Sequence, residues 1–247
     1  MTAAMLIINA DDFGRSQEET DVALACYKQK RITSATAMVF MKDSRRAAEL
    51  GQDAGIDLGL HLNLDQPFTG QVENGLLQEY HDRIIRFLTS TKYSSCLYNP
   101  ALRQEFRYVY QAQVDEFMRL YGRRPSHIDG HHHTHICTNM LLDRIIPAKE
   151  RVRRTFSFGP GEKNLLNRLY RYLVDLSLAH RYKLTDFFFS LPQSLQENRI
   201  ARVWELSKIA NVELMTHPVN PKEYAYLMSD AYGSALSELE TGNYASL

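Results

Sequence analysis

The sequence has little of what marks a secreted, membrane-spanning or nucleic-acid-binding protein. Lys and Arg number 29 against 29 Asp and Glu, so the formal net charge is zero and a polyanion-binding surface is not favoured. The three cysteines, Cys26, Cys96 and Cys137, lie far apart without a CxxC spacing, which favours reduced thiols in a cytoplasmic protein. The first residues lack the basic start and long apolar run of a signal peptide, and we expect no membrane span.

The sequence shows no sign of a boundary between domains. It has no internal repeat and no low-complexity linker, and its 247 residues, 44% of them hydrophobic, are enough to bury one large core. A chain of about 250 residues is typical of an α/β barrel that folds as one unit. We therefore expect a single domain over residues 1–247.

Short apolar runs alternate with helical spacings along the chain. Residues 5–8 form a continuous apolar run typical of a strand buried on both faces, and further strands are predicted at 32–39 and 56–64. Ser16 predicts the start of the first helix, and 44–53 also has helical spacing. This alternation predicts an α/β fold with parallel strands and crossover helices. Later strands are predicted at 126–130, 152–156, 184–189 and 212–215, and later helices at 102–121, 139–149, 163–180 and 195–207.

Residues 65–99 interrupt this alternation. They combine turn residues with mixed polarity and no sustained period, apart from one predicted helix at 80–88. We expect this segment to be an insertion that serves as a lid or binds substrate.

Acids and histidines follow four of the predicted strands. Asp11 and Asp12 end the first strand, His61 ends the third, His131 follows the strand at mid-chain, and His217 ends the last. The carboxyl ends of parallel strands meet at one edge of the sheet in α/β folds, and sites form there. These side chains are therefore expected to share one pocket.

The pair Asp11 and Asp12 allows two interpretations. An isolated pair would usually cap the following helix or turn with one carboxylate and leave the other in solvent. Directly after a buried strand, where the chain turns, the two acids can instead point into one cleft. One could then hold a metal while the other takes a proton.

Five of the nine histidines lie between residues 127 and 135, together with Asp129. Neutral imidazole and carboxylate are the usual ligands of catalytic divalent metals, and an open site has about three protein ligands. His61 alone would be typical of a buried core histidine, but this cluster gives it partners. Since five histidines exceed that ligand set, the others would orient ligands or contact substrate, and we assign His133 to substrate binding.

His217 lies between Thr216 and Pro218. Proline disfavours helix at the preceding residue, so the imidazole is presented from an extended segment at a strand end. Because free histidine titrates near pH 6.5, His217 is suited to protonating a leaving group near neutral pH.

Four motifs together resemble the YdjC-like carbohydrate deacetylases, which include chitooligosaccharide deacetylases and relatives associated with hopanoid biosynthesis. The motifs occur in the family's order, and the similarity continues to the C-terminal tail. They are residues 9–14 (NADDFG), 59–62 (GLHL), 125–135 (PSHIDGHHHTH) and 215–218 (MTHP).

The resemblance implies a distorted, incomplete TIM-like barrel similar to that of polysaccharide deacetylases. It further implies a divalent metal held by Asp12, His61 and His131, with Asp11 as the general base and His217 as the general acid. The expected reaction removes the acetyl group from an N-acetylated amino sugar or chitooligosaccharide. The resemblance favours magnesium, whereas the mixed imidazole and carboxylate ligands would also suit zinc or cobalt.

Arg154 is a weaker expectation of the same resemblance, as an arginine that orients a carboxylate or binds substrate. Residues 65–99 and 155–200 match no family pattern that identifies the substrate. The tyrosines within 93–121 and 169–182 would suit either a homodimer interface or a surface on which sugars stack.

Other functions on the same fold stay open. One is a metal- or sugar-binding protein without catalysis. Another is a phosphoesterase or glycoside hydrolase, but the sequence has no Gly-rich phosphate loop, and a glycosidase would be expected to carry two well-separated carboxylates.

Overall fold

A parallel β-sheet that curls into a half-barrel forms the centre of the computed structural model, which describes residues 4–159, 161–196 and 199–247. The strand order is β4-β3-β2-β1-β6-β5, and β7 pairs with β1. The parallel pairing confirms the predicted α/β fold with an incomplete, TIM-like barrel. The strands are β1 (Leu6–Phe13), β2 (Ser34–Ala37), β3 (Asp57–Leu62), β4 (Ile128–Gly130), β5 (Phe187–Ser190), β6 (Val212–Thr216) and β7 (Thr241–Gly242).

Helices connect these strands and cover the sheet. Ser16 begins the first of them as predicted, because its side chain accepts a hydrogen bond from the Glu19 backbone N–H. No helix of the described ranges is long and apolar enough to cross a bilayer. The helices are α1 (Gln17–Lys28), α2 (Ser44–Ala54), α3 (Gly75–Leu88), α4 (Arg103–Tyr121), α5 (Thr138–Leu142), α6 (Leu165–Ala179), α7 (Leu191–Gln196), α8 (Ile200–Ser207), α9 (Pro221–Leu227) and α10 (Asp230–Ser237).

The two faces of β1 have different roles. All eight residues of the strand are buried, and Leu6, Ile8 and Ala10 belong to the main hydrophobic core. Side chains alternate along a strand, so the opposite face carries Ile7 and, further along, Asp11. Ile7 packs with Tyr244 in a small separate cluster. Asp11 therefore lies on the face of β1 that does not contribute to the main hydrophobic core.

Three predicted elements differ in extent. The strand at 152–156 is reduced to isolated bridges at Arg151 and Val152. The helix predicted at 139–149 ends at Leu142, because Arg144 takes a left-handed φ of 51° and Pro147 follows. The helix predicted at 195–207 is divided between α7 and α8, and its residues 197 and 198 lie outside the described residues.

The segment at 65–99 contains more regular structure than its sequence indicates. Helix α3 begins at Gly75, five residues before the predicted helix, and buries Leu77, Ile84 and Leu88 against the core. A short 3-10 turn follows at Ser94–Cys96. The function of this segment as a lid stays a prediction.

Candidate active site

Three side chains from three strand ends meet in one buried cluster. Asp12 Oδ1 lies 2.9 Å from His131 Nδ1 and 3.3 Å from His61 Nε2. One ligand atom from each residue lies within 4.8 Å of the others. The exposed fractions are 3% for Asp12, 1% for His61 and 4% for His131. The residues expected to share a metal are thus within the reach of one ion.

An irregularity at the end of β1 gives the adjacent acids different surroundings. The register between β1 and β2 shifts between Ala10 and Phe13, and Asp12 has a left-handed φ of 65°. A non-glycine residue in this region costs about 1–3 kcal/mol and persists only where the surrounding structure enforces it. The bend directs Asp12 to the histidines, while Asp11 contacts an arginine.

His61 is oriented by a hydrogen bond on the side away from Asp12. Its Nδ1 lies 2.8 Å from Asp129 Oδ1, and because an ionised carboxylate can only accept, Nδ1 donates. Burial lowers the pKa of His61, but the charges of Asp129 and Asp11 and the hydrogen bonds to Asp12 and Asp129 outweigh it and raise the pKa well above 6.5. The Nε2 atom therefore faces Asp12, where either a proton or a cation would be stabilised.

These residues fit a divalent cation. Burial raises the pKa of Asp12, but hydrogen bonds to His131 and His61 outweigh it and hold that pKa well below its usual range. The Nε2 atom of His131 is buried without a hydrogen-bond partner among the described residues. An ionised carboxylate, an oriented imidazole and a second imidazole with a free nitrogen are a donor set typical of a catalytic metal.

Asp11 is held by the buried guanidinium of Arg153. Arg153 Nη1 donates to Asp11 Oδ2 and Nη2 to Asp11 Oδ1, both at 2.7 Å, and Asn9 Nδ2 donates to Oδ1 at 3.0 Å. Arg153 also contacts Asp129 and Glu213 at 2.7 Å. Burial lowers the pKa of Arg153, but these carboxylates outweigh it and raise the pKa well above its usual range. A bidentate arginine fixes both the position and the plane of a carboxylate.

His217 lies beside Asp11 on the neighbouring strand. Ala10 of β1 pairs with Thr216 of β6. Asp11 and His217 are the residues that follow this pair along their strands. The backbone N–H of His217 donates to Glu223 Oε2 at 2.8 Å. Its partly exposed imidazole makes no hydrogen bond within the described residues and is open to a bound molecule.

The three consecutive histidines have different polar contacts. His132 and His133 have left-handed φ values of 48° and 60°, and the His132 ring lies 4.0 Å from the ring of His131. His132 Nδ1 lies 2.7 Å from Asp65 Oδ2, whereas the His133 ring lies 4.6 Å from the ring of Phe156. Burial, followed by the charge of Arg153, lowers the pKa of His133 well below 6.5. His133 is therefore uncharged at neutral pH.

Comparison with known proteins identifies the family. A family model described as YdjC-like protein matches residues 5–238. The chain belongs to the YdjC-like family. It is 33% identical over 220 residues to a chitooligosaccharide deacetylase of Serratia marcescens, with 87% of this chain and 81% of the relative covered. A second relative of the same name, from Yersinia enterocolitica, is 29% identical over 224 residues with the same shares covered.

A solved structure has the same fold as this YdjC-like chain. It is described as a cellobiose-phosphate cleavage protein of Enterococcus faecalis V583. The TM-score is 0.69, with 99% of this chain and 98% of that chain covered. At 18% sequence identity, the likeness establishes the curled α/β barrel alone.

The arginine that contacts Asp11 in the YdjC-like chain is Arg153, whereas the sequence interpretation selected Arg154. Arg154 Nη2 instead donates to Asp175 Oδ2 at 2.7 Å. The sequence offered a signal in the basic residues at 151, 153 and 154, but alternation alone does not tell which of them faces the interior. The arginine that orients a carboxylate beside the cluster of Asp12, His61 and His131 is therefore Arg153.

Two of the clustered histidines belong to the core. His127 stacks on Tyr244, with ring centroids 3.6 Å apart, and His135 Nε2 donates to the Arg153 carbonyl at 3.0 Å. Glycines make room for both: a Cβ at Gly59 would lie 2.5 Å from His127, and one at Gly130 would lie 2.8 Å from the His135 backbone. These histidines shape the interior and do not join the cluster of Asp12, His61 and His131.

A cavity of about 480 Å³ lies beside His133. Phe156 contacts the His133 ring and also lines the cavity. The guanidinium of Arg171 covers the ring of Phe158 at 5.0 Å. Aromatic faces and arginine donors are suited to a sugar ring and its polar substituents. The other lining residues include Arg154, Ser157, Leu165, Arg168, Leu169, Tyr172 and Arg202.

Proposed function

We propose that this protein is a metal-dependent deacetylase that hydrolyses the N-acetyl group of an amino sugar or chitooligosaccharide. The observation that carries the proposal is the meeting of Asp12, His61 and His131 beside Asp11, which Arg153 holds in place. The names of the curated relatives support the reaction and the substrate class.

Asp12, His61 and His131 would hold the divalent cation. When bound there, the cation supplies Lewis-acid polarisation of the acetyl carbonyl and makes a water molecule more acidic. Family resemblance favours magnesium, and the two imidazoles also suit zinc.

Asp11 is the proposed general base, and His217 the proposed general acid. Asp11 accepts the proton that water loses as its oxygen adds to the carbonyl carbon. The C–N bond then breaks, and His217 donates a proton to the departing amine nitrogen, so that acetate and free amine result. The two groups lie at the ends of neighbouring strands, and the His217 imidazole makes no hydrogen bond within the described residues.

The remainder of the sugar is proposed to occupy the cavity beside His133. His133 and Arg154 are the proposed substrate-binding residues. An uncharged imidazole can donate to one hydroxyl or accept from another, and Arg154 lines the cavity.

Acetate release from a panel of acetylated mono- and disaccharides tests this function. We expect turnover of N-acetylated glucosamine oligomers and none of their O-acetylated or fully deacetylated counterparts. Binding without acetate release would instead indicate a non-catalytic sugar-binding protein. Phosphate release from sugar phosphates would favour a phosphoesterase.

A cytoplasmic location stays a prediction from the cysteines. Cys26 and Cys137 are buried free thiols, and Cys96 is an exposed one. An exposed unpaired thiol is more common in reducing compartments than in secreted proteins.

We also infer that a second copy of the chain covers the outward face of α6. Val174 and Leu178 face the core, whereas apolar side chains on the opposite face are 50–80% exposed. The spacing of 165, 169, 172 and 176 is the heptad spacing of helix pairs. The apolar residues of this α6 face are Leu165, Leu166, Leu169, Tyr172, Leu173 and Leu176. Leu165, Leu169 and Tyr172 also line the cavity beside His133, so the second copy would border the proposed sugar site.

The α6 face continues onto Leu97 and Tyr98, because Cys96 contacts Tyr170. At roughly 150–250 Å² for a fully accessible large side chain, these residues together present apolar area on the order of the ~800 Å² that each partner of a standard interface buries. Unpartnered patches on monomers are smaller, about 300–600 Å². A homodimer would remove this area from water.

The double variant Leu166→Glu/Leu173→Glu is expected to be monomeric where the wild-type chain is a dimer, because it places charges in the pairing face and neither residue lines the cavity beside His133. Mass measured by light scattering after size-exclusion chromatography distinguishes the two states. The matched control is Ile209→Glu, which changes a 78%-exposed apolar residue outside the α6 face and should leave the dimer intact. A wild-type chain that stays monomeric at tens of micromolar, or binds lipid vesicles instead, would contradict the inference.

A further inference from the structure

Tyr244 is a buried residue close to the C-terminal end, beyond the residues 5–238 that the family model matches. It is fully buried, in the 3-10 turn Tyr244–Ser246. Its hydroxyl donates to Glu213 Oε2, and its ring stacks on His127 with an interplanar angle of 9°. Since Gly59 leaves the space that His127 occupies, the interior is shaped to seat this tyrosine.

Glu213 connects Tyr244 to the guanidinium that holds Asp11. Glu213 Oε1 accepts from Arg153 Nε at 2.8 Å and lies 2.7 Å from Arg153 Nη2 in an ion pair. Arg153 thus donates three hydrogen bonds, two to Asp11 and one to Glu213, and forms further ion-pair contacts with Asp129 and Glu213. Its position is therefore fixed from three sides, and one of these sides depends on Glu213.

We propose that Tyr244 is a positioning residue for the base Asp11, acting through Glu213 and Arg153; this rests on the proposed function. The hydroxyl fixes the outer oxygen of Glu213, so that the inner oxygen stays on Arg153. Without this donor, a buried carboxylate oxygen has no partner, and the side chain can relieve that only by rotating or by taking a proton. Either change weakens its hold on Arg153 and displaces Asp11.

The electrostatics of Glu213 agree with this geometry. Burial raises the pKa of Glu213 to about 7, although the charge of Arg153 and the hydrogen bonds from Arg153 and Tyr244 lower it. Glu213 is thus close to losing its charge at neutral pH, and the Tyr244 hydroxyl is one of two donors that favour the charged form. Removal of the Tyr244 hydroxyl should alter the contact between Glu213 and Arg153, because both residues are fully buried and no solvent reaches them.

The first test is Tyr244→Phe, which keeps the stacking ring and removes only the hydroxyl. We expect kcat for acetate release to fall on the order of tenfold, since small displacements of a catalytic group have large effects. KM and the dissociation constant of the divalent cation should not change, because Asp12, His61 and His131 keep their contacts. An unchanged kcat would overturn the proposal.

The matched control is Tyr232→Phe. Tyr232 is also fully buried and also donates its hydroxyl, to the Arg31 carbonyl at 2.9 Å, far from Arg153. Both variants should lose similar thermal stability, and only Tyr244→Phe should lose kcat. Equal loss of kcat in both would indicate general destabilisation and overturn the positioning role.

A double-mutant cycle tests the route through Glu213. In a Glu213→Gln background, Tyr244→Phe should cause little further loss of kcat, since both substitutions interrupt the same contact. Full additivity of the two losses would overturn the route.

A measurement that does not require turnover tests this proposal independently of the proposed function. In protein labelled with ¹⁵N-arginine, the Arg153 Nε–H resonance should shift and exchange faster in Tyr244→Phe but not in Tyr232→Phe. If the wild-type chain releases no acetate, the proposed function is wrong. The Arg153 resonance would still show whether Tyr244 positions Arg153 through Glu213. An unaltered resonance in Tyr244→Phe would overturn the proposal even where the enzyme is active.

Discussion

Asp11→Asn is expected to lower kcat for acetate release by about 10²–10⁴-fold, the range that general base catalysis contributes, while the protein still binds one divalent cation. An amide cannot take the proton that the attacking water must lose. The cation should remain, because Asp12, His61 and His131 do not depend on the charge of Asp11 for their contacts. Acetate release and elemental analysis measure the two properties on one sample.

The fold should tolerate this substitution. Three buried carboxylates, Asp11, Asp129 and Glu213, contact the guanidinium of Arg153, while Asp12 pairs with Arg15 at 3.1 Å. Loss of one negative charge therefore leaves Arg153 with partners, in contrast to the loss of a partner from an isolated buried pair.

The control for Asp11→Asn is Asp143→Asn. Asp143 is another buried aspartate, and it pairs with Arg103 Nε at 2.9 Å away from the cluster. It should keep wild-type activity. A fully active Asp11→Asn would remove Asp11 from the mechanism, and a comparable loss in Asp143→Asn would attribute both losses to folding.

The convergence of Asp12, His61 and His131 was predictable because it follows from topology. A buried parallel strand ends at a fixed edge of its sheet, and each of these residues lies at or directly after such an end. The spacing along the chain, 119 residues between Asp12 and His131, has no influence on this result. Short apolar runs were therefore enough to predict which side chains meet.

The residues that support the site were not predictable in the same way. Glu213 lies inside an apolar strand, and only the register of β6 against Ile7 directs it to Arg153. Tyr244 follows a strand of two residues that no periodicity indicates. Their roles depend on contacts between distant residues and on which face of a strand is interior, and local sequence does not encode either.

The histidine cluster shows the same limit. Composition indicated a metal site within residues 127–135, but it could not assign the five imidazoles individually. The left-handed backbone at His132 and His133 gives the three consecutive imidazoles different partners, and the missing side chains of Gly59 and Gly130 admit the other two to the core. Backbone conformation and space, more than residue type, decide which histidine can bind a cation.

Removal of the divalent cation is expected to abolish acetate release, and one added divalent ion should restore it. Without the cation, the polarisation of the carbonyl is lost, and Asp11 alone cannot activate water near neutral pH. Dialysis against a chelator followed by titration with Mg²⁺ or Zn²⁺ measures the loss, the recovery and the ion that the site prefers. Activity that is indifferent to the chelator would defeat the metal-dependent mechanism.

The same titration should stabilise the fold. A ligand at 100 times its dissociation constant contributes about 2.7 kcal/mol, which for a chain of this size raises Tm by roughly 5–10 °C. Asp12→Asn removes the carboxylate that the two imidazoles share, so its Tm should not respond to the ion. Because Asp11→Asn keeps this carboxylate, it should show the full rise in Tm without recovering activity. If Asp12→Asn showed the same rise in Tm as Asp11→Asn, the ion would bind elsewhere. The assignment of Asp12, His61 and His131 as ligands would then be wrong.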